Sequence, residues 1–242
     1  MNWSDEGIVL QARSHGEANV IGDLFTRLHG RQGAFVYGGQ GRTKRPLLQP
    51  GNGVAVTWHG KGERALGYFD LELQRARAAG AFADRRTLLS LTAVTETLSA
   101  VLPEGEQQTQ LYDATSVLLD LIEEKAIFPI VLAKWELGLL DALGFGLTLD
   151  RCAATGRLGE DGADLVFVSP KSGTAVSQEA GMPYKDKLLP LPPFLIDRGE
   201  PVLGDVRAAL RMTGYFLEDR LLAPAGRSLP DARRQLEAKL GA

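Results

Sequence analysis

The chain has 242 residues, of which 44% are apolar, so it can bury a sizeable core and is long enough for two domains. Its formal charge of −3 excludes a histone-like protein that is basic throughout, and its single cysteine excludes an intramolecular disulfide framework. The N-terminus carries acids where a secretory signal would carry cations, and no stretch approaches the roughly 18 apolar residues of a membrane span, so we expect a cytoplasmic protein.

Short apolar-rich runs in the first 75 residues predict five β-strands. The runs lie at residues 7–13, 18–26, 34–37, 54–59 and 69–74, with turns predicted at residues 15–17 and between Gly30 and Gly33. Because closure of a sheet removes the exposed edges of short strands, this pattern favours a small barrel. A five-stranded OB-fold is the preferred barrel, and an SH3-like barrel is the alternative.

Beyond the strands, the apolar residues recur at helical spacing. Asp84 can cap a first helix that ends at Pro103, and a second helix covers residues 111–121. Pro129 suits the first turn of a third helix, which Gly144 closes in the position where a left-handed residue is usual. We expect the apolar stripes of these helices to face one another in a bundle rather than to form a groove for a partner.

The rest of the chain combines a β-hairpin with two more helices. Residues 164–169 and 174–177 flank a Pro-Lys-Ser-Gly turn and predict the hairpin, and helices are predicted over residues 204–222 and from Asp231 to Leu240.

Together the elements predict an α+β multidomain fold. A barrel occupies residues 1–80, and a helical domain occupies residues 81–148 and 183–242. The hairpin insert of residues 149–182 separates the two parts of the helical domain.

No pattern in the chain predicts catalysis. The three histidines, His15, His29 and His59, all lie in the β region, and a Gly-x-Ser-x-Gly nucleophile motif is absent. The phosphate-binding patterns GxxxxGK[ST] and GxGxxG are absent too, and no acidic cluster suits a nuclease or polymerase metal site. We therefore expect a protein that is not an enzyme; the reading as a hydrolase or nuclease has no support in the residues.

A basic loop between the third and fourth runs is the clearest functional signal. The segment GGQGRTKRPLLQPG, residues 38–51, contains Arg42, Lys44 and Arg45, and no acid occurs from Leu24 to Lys61. Residues 1–80 carry ten Lys and Arg against seven Asp and Glu, a charge of +3, which leaves −6 for the remainder. Such a split between halves suggests that one half meets a polyanion.

Aromatic residues are interleaved with these cations, which is typical of barrels that bind single-stranded nucleic acid. We expect Trp58 to be buried and Tyr37 to be the better stacking residue. The candidate DNA-binding residues are Arg27, Arg31, Tyr37, Arg42, Lys44, Arg45, Lys61 and Arg64. A solvated face without a ligand is one alternative, and a protein-binding adaptor whose basic loop holds an acidic peptide is another.

Cys152 raises the question of a zinc module, which would need a Cys-x-x-Cys pair in two places. Thr155 stands at the second position of the first pair, and the matching spacing in the second place falls on Ser177 and Ala180. Because one thiolate cannot hold a structural zinc, we expect no metal and no other cofactor.

The order of these segments resembles that of the bacterial DNA repair protein RecO family. The family's "G-hydrophobic-VL" strand, GE turn, T-x-x-x-G turn and glycine-then-arginine segment correspond to residues 7–10, 16–17, 26–30 and 38–45 of GIVLQARSHGEANVIGDLFTRLHGRQGAFVYGGQGRTKR. LPEGEQQTQLYD and the terminal LPDARR are similar to further family segments, so the resemblance covers essentially the whole chain. It implies an N-terminal OB domain, a helical domain, and a zinc-ribbon-like insert that here lacks the zinc ligands.

The resemblance also implies a function. The protein would be a recombination mediator of the RecF pathway, associated with the nucleoid, that binds single- and double-stranded DNA, anneals complementary strands and assists RecA loading. Its partners would be RecR and the acidic tail of single-strand-binding protein. Five arginines near the C-terminus could receive such a tail, or could be ordinary exposed helix charges: Arg207, Arg211, Arg220, Arg233 and Arg234.

Overall fold

At the start of the chain, five strands close into a barrel. The computed structural model describes residues 1–62 and 65–240. The strands are β1 (Asn2–His15), β2 (Asn19–Thr26), β3 (Gly30–Val36), β4 (Gly53–His59) and β5 (Tyr68–Arg75). Their order around the barrel is β1-β2-β3-β5-β4, and β4 returns to pair with β1. Among the strand pairs of the barrel's described residues, only β3–β5 is parallel. The prediction of an N-terminal five-stranded, OB-like barrel is confirmed.

Every second side chain along the strands points inward, and these side chains fill the barrel. In β4, Val54, Val56 and Trp58 point inward and are almost fully buried, whereas the residues between them are partly exposed. The prediction that Trp58 is buried is therefore confirmed. Phe69 of β5 joins the same core. The inward positions thus follow the period of two that a strand imposes on its side chains.

The turn predicted between Gly30 and Gly33 is wrong. The chain turns at residues 27–29, and both glycines belong to β3. Gly30 has a φ of +67°, the left-handed conformation that glycine adopts at little steric cost, so it marks the end of the turn rather than its beginning. Gly33 pairs with Asp23 within the β2–β3 ladder.

Three helices follow the barrel: α1 (Arg77–Ala81), α2 (Arg85–Val101) and α3 (Thr109–Asp120). Asp84 caps α2 as predicted, since its carboxylate accepts the backbone N–H of Thr87 at 2.9 Å. This bond and one from Lys125 hold the pKa of the Asp84 carboxyl well below its usual range. α2 packs against β1, so its apolar face covers the barrel, contrary to the expectation that it would face the next helices.

By packing, the chain divides into two compact units. The first, here the barrel unit, comprises Met1–Lys125 and Pro230–Leu236, and the second, the helical unit, comprises Ala126–Leu229 and Glu237–Ala242. The domain boundaries predicted at residues 80, 148 and 182 stay predictions, because a compact unit measures packing rather than independent folding.

Within the helical unit, α4 packs against α6, and a three-stranded sheet of order β7-β6-β8 contains the predicted hairpin. Pro129 lies in the first turn of α4, as predicted. The predicted helix over residues 204–222 is an α-helix, α6, followed by a π-helical turn over Leu217–Leu222. The elements are α4 (Phe128–Ala142), β6 (Leu165–Val168), β7 (Ala175–Ser177), α5 (Gln178–Gly181), β8 (Leu189–Pro190) and α6 (Leu203–Phe216), with 3₁₀ turns at Met182–Lys187, Pro193–Ile196 and Ala223–Ala225.

The last helix, α7, spans Asp231–Lys239. Across the described parts of the chain, no helix has both the length and the apolar character needed to cross a membrane.

Gly30→Ala is expected to lower the free energy of unfolding by about 2 kcal/mol or more, because it combines a left-handed φ with a steric clash. A Cβ at Gly30 would lie 2.0 Å from the backbone oxygen of Glu106. Gly33→Ala, in the same strand, is the matched control, since a Cβ there meets no atom within 4 Å. Urea unfolding of both variants measures the difference, and equal stabilities would contradict the packing described at Gly30.

Candidate nucleic-acid interface

The basic loop, Gly38–Gly51, is a series of hydrogen-bonded turns. The N–H of Gly41 donates to the oxygen of Gly38 at 2.9 Å, and the N–H of Arg45 donates to that of Gly41 at 2.9 Å. A further turn closes between the N–H of Leu47 and the oxygen of Lys44 at 3.0 Å. The cations therefore sit on a segment that forms hydrogen-bonded turns of its own, rather than on an extended strand.

Leu48 and Asn52 anchor the end of this loop. Leu48 is 3% exposed and belongs to the core of the barrel. Asn52 is buried as well; its side-chain N–H donates to the oxygen of Pro46 at 2.9 Å, and its side-chain oxygen accepts the N–H of Ala78 at 3.0 Å. One side chain thus ties the basic loop to the start of α1. No pattern of spacing in the sequence predicted either anchor.

A bulge in β1 receives the last residues of the loop. The register of β1 shifts between Val9 and Gln11, and the N–H of Gly51 donates to the oxygen of Val9 at 2.7 Å. Gly51 has a φ of +86°, and a Cβ there would lie 2.2 Å from the side chain of Leu91 in α2. The loop end is therefore held between the barrel and α2.

Arg42, Lys44 and Arg45 lie on this anchored loop, and we call these three residues the basic rim. Arg42 and Arg45 are exposed, and Lys44 is half-buried. Within residues 1–62 and 65–240, none of the three forms an ion pair with a carboxylate. Lys44 does line a small hollow of about 260 Å³ together with Asp70 and Glu72 of β5. Those two acids offset part of its positive potential, and the sequence alone placed neither of them beside the loop.

Arg31 has carboxylate and backbone partners within the barrel unit. Its guanidinium donates to both oxygens of Asp23, at 3.0 Å from Nε and 2.8 Å from Nη2, and also to the backbone oxygen of Leu102 at 3.2 Å. Asp23 further accepts an N–H of Gln11 at 3.0 Å and lies near the hydroxyl of Ser99. This network joins β2 and β3 to α2 and its C-terminal cap.

Arg27 lies against α3 rather than beside the basic rim. Its Nε and Nη2 donate to the two oxygens of Asp113 at 2.8 and 3.0 Å, and these bonds lower the pKa of Asp113. Lys61 is exposed just beyond β4, whereas Arg64 lies outside the described residues. Arg42, Lys44 and Arg45 thus share one loop, although Lys44 lines a hollow beside β4 and β5 and Arg45 lines another beside β1 and β2. Arg27 and Arg31 pair with the protein's own carboxylates. A DNA contact by any of these residues stays a prediction.

Five rings form a continuous band on the barrel, which we call the aromatic stripe. Phe35 lies 5.1 Å from His15 and 6.3 Å from Tyr37, measured between ring centroids. Tyr37 lies 5.4 Å from Tyr68, which stacks on His59 at 4.7 Å. Tyr37 is 55% exposed. The sequence predicted Tyr37 as a stacking residue, but no pattern in it predicted that Tyr68, His15 and His59 would join the same band.

Cys152 is buried beside the position where the sequence pattern would need a second thiolate. Its Sγ lies 3.4 Å from the hydroxyl of Ser177 and accepts the N–H of Ser177 at 3.3 Å. Burial raises the pKa of the thiol, but hydrogen bonds from Ser177 and Thr155 outweigh it and bring the pKa to about 6. The described residues contain no group of three His, Cys, Asp or Glu side chains that could hold a metal. Cys152 therefore does not belong to a four-thiolate zinc site, because Thr155, Ser177 and Ala180 stand at the other three positions.

Comparison with known proteins identifies relatives along the whole chain. The family model described as Recombination protein O N terminal matches residues 1–77, and the model described as Recombination protein O C terminal matches residues 83–229. Proteins named DNA repair protein RecO are similar over nearly full length. That of Hyphomonas neptunium is 46% identical, covering 98% of this chain and 97% of the relative, and that of Caulobacter vibrioides is 45% identical, covering 99% and 98%.

Arg31→Ala is expected to lower the free energy of unfolding by about 1–3 kcal/mol, because it leaves the mostly buried carboxylate of Asp23 without its cation. Arg42→Ala removes an exposed arginine and serves as the control, with an expected change within about 0.5 kcal/mol. Denaturant unfolding measures both. If Arg31→Ala kept full stability and instead weakened DNA binding, the structural role assigned to Arg31 would be wrong.

Proposed function

The chain belongs to the RecO family and has a role in DNA repair and recombination, and from this premise we propose that it is a non-catalytic mediator that binds DNA through its basic rim. The observation that carries the proposal is the exposure of Arg42 and Arg45 on a loop whose end is buried through Leu48 and Asn52. A ligand with regularly spaced negative charges suits cations that are held in place but not neutralised.

The ligand chemistry follows from the kind of cation. Each arginine can present a planar fork to a phosphate oxygen pair, and lysine adds a point charge. Phosphate contacts position a protein on DNA without reading its sequence, so the same rim can bind single and double strands. Because Lys44 shares a hollow with Asp70 and Glu72, we expect it to contribute less affinity than Arg42.

Annealing follows from binding of this type. When cations neutralise two backbones, the strands can approach one another, and phosphate contacts leave the Watson–Crick edges of the bases free to pair. A mediator that holds strands in this way could bring RecA onto DNA covered by single-strand-binding protein. RecR is a further partner that we propose on the family relation alone.

We place the acidic tail of single-strand-binding protein in a groove of the helical unit. Lys187, Arg207 and Arg211 are exposed around a cavity of about 560 Å³, to which the partly exposed Leu188 and Leu189 contribute apolar atoms. Asp186 also lines it, so the cavity carries three cations against one carboxylate. Arg207 and Arg211 stand four residues apart on α6 and so share one face of the helix. This mixture of cations and apolar surface suits a peptide that carries both carboxylates and apolar side chains.

The other three arginines near the C-terminus suit that role less well. Arg220 lies over the ring of Phe216 at 4.8 Å, and Arg234 pairs with Asp231. Arg233 is fully buried. Each of these side chains is already engaged in packing or pairing, so the groove lined by Arg207 and Arg211 is the better site for a peptide.

We propose that the hairpin insert folds without metal, because Ser177 makes contacts to Cys152 that a zinc ion would otherwise bridge. Metal analysis of the purified protein is expected to find far less than one zinc per chain, and EDTA is expected to leave the Tm unchanged. Cys152→Ser should fold. A stoichiometric zinc ion whose removal lowers the Tm would contradict a metal-free insert.

The triple variant Arg42→Ala/Lys44→Ala/Arg45→Ala tests the basic rim. Each lost phosphate contact removes about 0.7 from the slope of log affinity against log salt for single strands, so the slope should fall by about 2. Affinity for single strands at low salt should fall about tenfold or more, and strand annealing should slow in parallel. Fluorescence anisotropy at two salt concentrations and an annealing assay measure these effects, while the Tm reports folding.

The triple variant Lys187→Ala/Arg207→Ala/Arg211→Ala is the matched control, since it removes the same charge from the other unit. It should keep its affinity for DNA and lose affinity for an acidic peptide. Equal loss of DNA binding in both variants would show a general charge effect and no defined rim. If the rim variant lost the acidic peptide but bound DNA normally, the adaptor function would replace the mediator.

A further inference from the structure

The aromatic stripe is built by strand register. Phe35 of β3 pairs with Tyr68 of β5, and Tyr68 pairs with His59 of β4, so these three residues stand at one level on three neighbouring strands. Directly paired residues project from the same face of a sheet, and neighbouring strands lie about 4.8 Å apart. Val36 and Phe69, the next residues along their strands, are buried in the core. The row of rings therefore lies on the outer face of the barrel.

The stripe is continuous with the cations along the chain. Tyr37 directly precedes Gly38, where the basic loop begins, and His59 is followed by Gly60 and the exposed Lys61. In the sequence, Arg42 follows Tyr37 by five residues and Lys61 follows His59 by two. A nucleic acid whose phosphates contact the basic rim would then present its bases to the rings.

We propose that the aromatic stripe is a stacking platform for unpaired bases and that it makes the protein prefer single-stranded over double-stranded DNA. This inference rests on the proposed function, because it places the bases of a strand whose phosphates contact the basic rim. In a duplex the bases already stack on one another and their faces are covered, so only a single strand gains from the rings. Base–aromatic stacking contributes about fivefold to about 150-fold in affinity for each base.

Tyr37 and Tyr68 are the rings best placed to receive a base. Tyr37 is 55% exposed, and its plane is inclined by 51° to that of Tyr68, so the two rings do not cover each other's faces. Each is supported from behind by a parallel ring: Phe35 lies at 13° to Tyr37, and His59 lies at 17° to Tyr68. Rings held in this way lose little conformational freedom when a base binds.

The acids near the stripe set the path of the backbone. Asp70 lies 3.2 Å from His59 and, with Glu72, lines the hollow under Lys44. Phosphates are repelled from these carboxylates and attracted to Arg42 and Arg45. The sugar-phosphate chain therefore follows the basic rim, and the bases point toward Tyr37 and Tyr68.

The test compares Tyr37→Ala/Tyr68→Ala with the wild-type protein on three ligands: a single-stranded oligonucleotide, the duplex of the same sequence, and an abasic single strand with the same number of phosphates. The wild type should bind the ordinary strand at least about tenfold more tightly than the abasic strand. The variant should lose that difference and keep its affinity for the duplex. Its salt dependence should not change, because no phosphate contact is removed.

Two controls separate stacking from other causes. Tyr37→Phe/Tyr68→Phe keeps both rings and should keep single-strand affinity, and Tyr184→Ala removes a 62% exposed tyrosine of the helical unit and should change nothing. If the double alanine variant has a lowered Tm, Tyr37→Ala alone replaces it, since Tyr37 lies beyond the end of β3.

The outcomes distinguish this inference from the function on which it rests. If the wild type binds abasic and ordinary strands equally, and both more weakly as salt rises, the rim binds DNA and the platform is overturned. If the double alanine variant loses duplex and single-strand affinity to the same extent, the rings act on the loop and not on bases, which also overturns it. Absence of binding to all three ligands would overturn the proposed function itself.

Discussion

The burial of Leu48 and Asn52 holds the basic loop on the barrel. Full burial of a leucine side chain contributes about 1.5–3 kcal/mol, and that contribution is lost if the loop leaves the core. The amide of Asn52 is buried too, and it would be left without partners if Pro46 and Ala78 moved away. Apolar burial of Leu48 and the hydrogen bonds of the buried Asn52 amide therefore both hold the end of the basic loop in place. These contacts position the backbone that carries Arg42, Lys44 and Arg45, although the loop itself is rich in glycine.

The cations of the barrel unit fall into two groups according to their acid partners. Arg27 and Arg31 each meet a carboxylate, Asp113 and Asp23, and so fasten helices to the barrel. Arg42 and Arg45 form no ion pair with a carboxylate of the described residues. Arginines of one unit thus differ in their surroundings: two are paired with the protein's own carboxylates, and two are the exposed arginines on which the proposed DNA contact rests.

In the proposed complex, the basic rim and the aromatic stripe would supply complementary interactions with one strand. The rim would contact phosphates, which are the same in single and double strands, while the stripe would contact base faces, which only a single strand exposes. Asp70 and Glu72 would repel phosphate from the rings and so keep the two kinds of contact apart. A protein with this arrangement can hold a strand firmly and still leave the hydrogen-bonding edges of its bases open to a complementary strand.

The sequence by itself determined the features that depend on neighbours along the chain. The alternation in residues 54–59, the cap at Asp84, the hairpin in the insert and the basic loop were all predicted, because each arises from spacing or charge within about ten residues. Tertiary structure alone decided the polar contacts between distant parts of the chain. Arg27 meets a carboxylate 86 residues away, and Gln11 meets Ser99 across 88 residues.

Tertiary structure also assembled the aromatic stripe. Phe35, Tyr68 and His59 become neighbours only through the parallel pairing of β3 with β5 and the antiparallel pairing of β5 with β4. The period-two alternation of a strand predicts which face of the strand a ring occupies, but it does not predict which strand lies beside it. The register that closes the barrel is a long-range property of the packed chain, and for that reason the stripe, unlike the loop, could be recognised only in the folded protein.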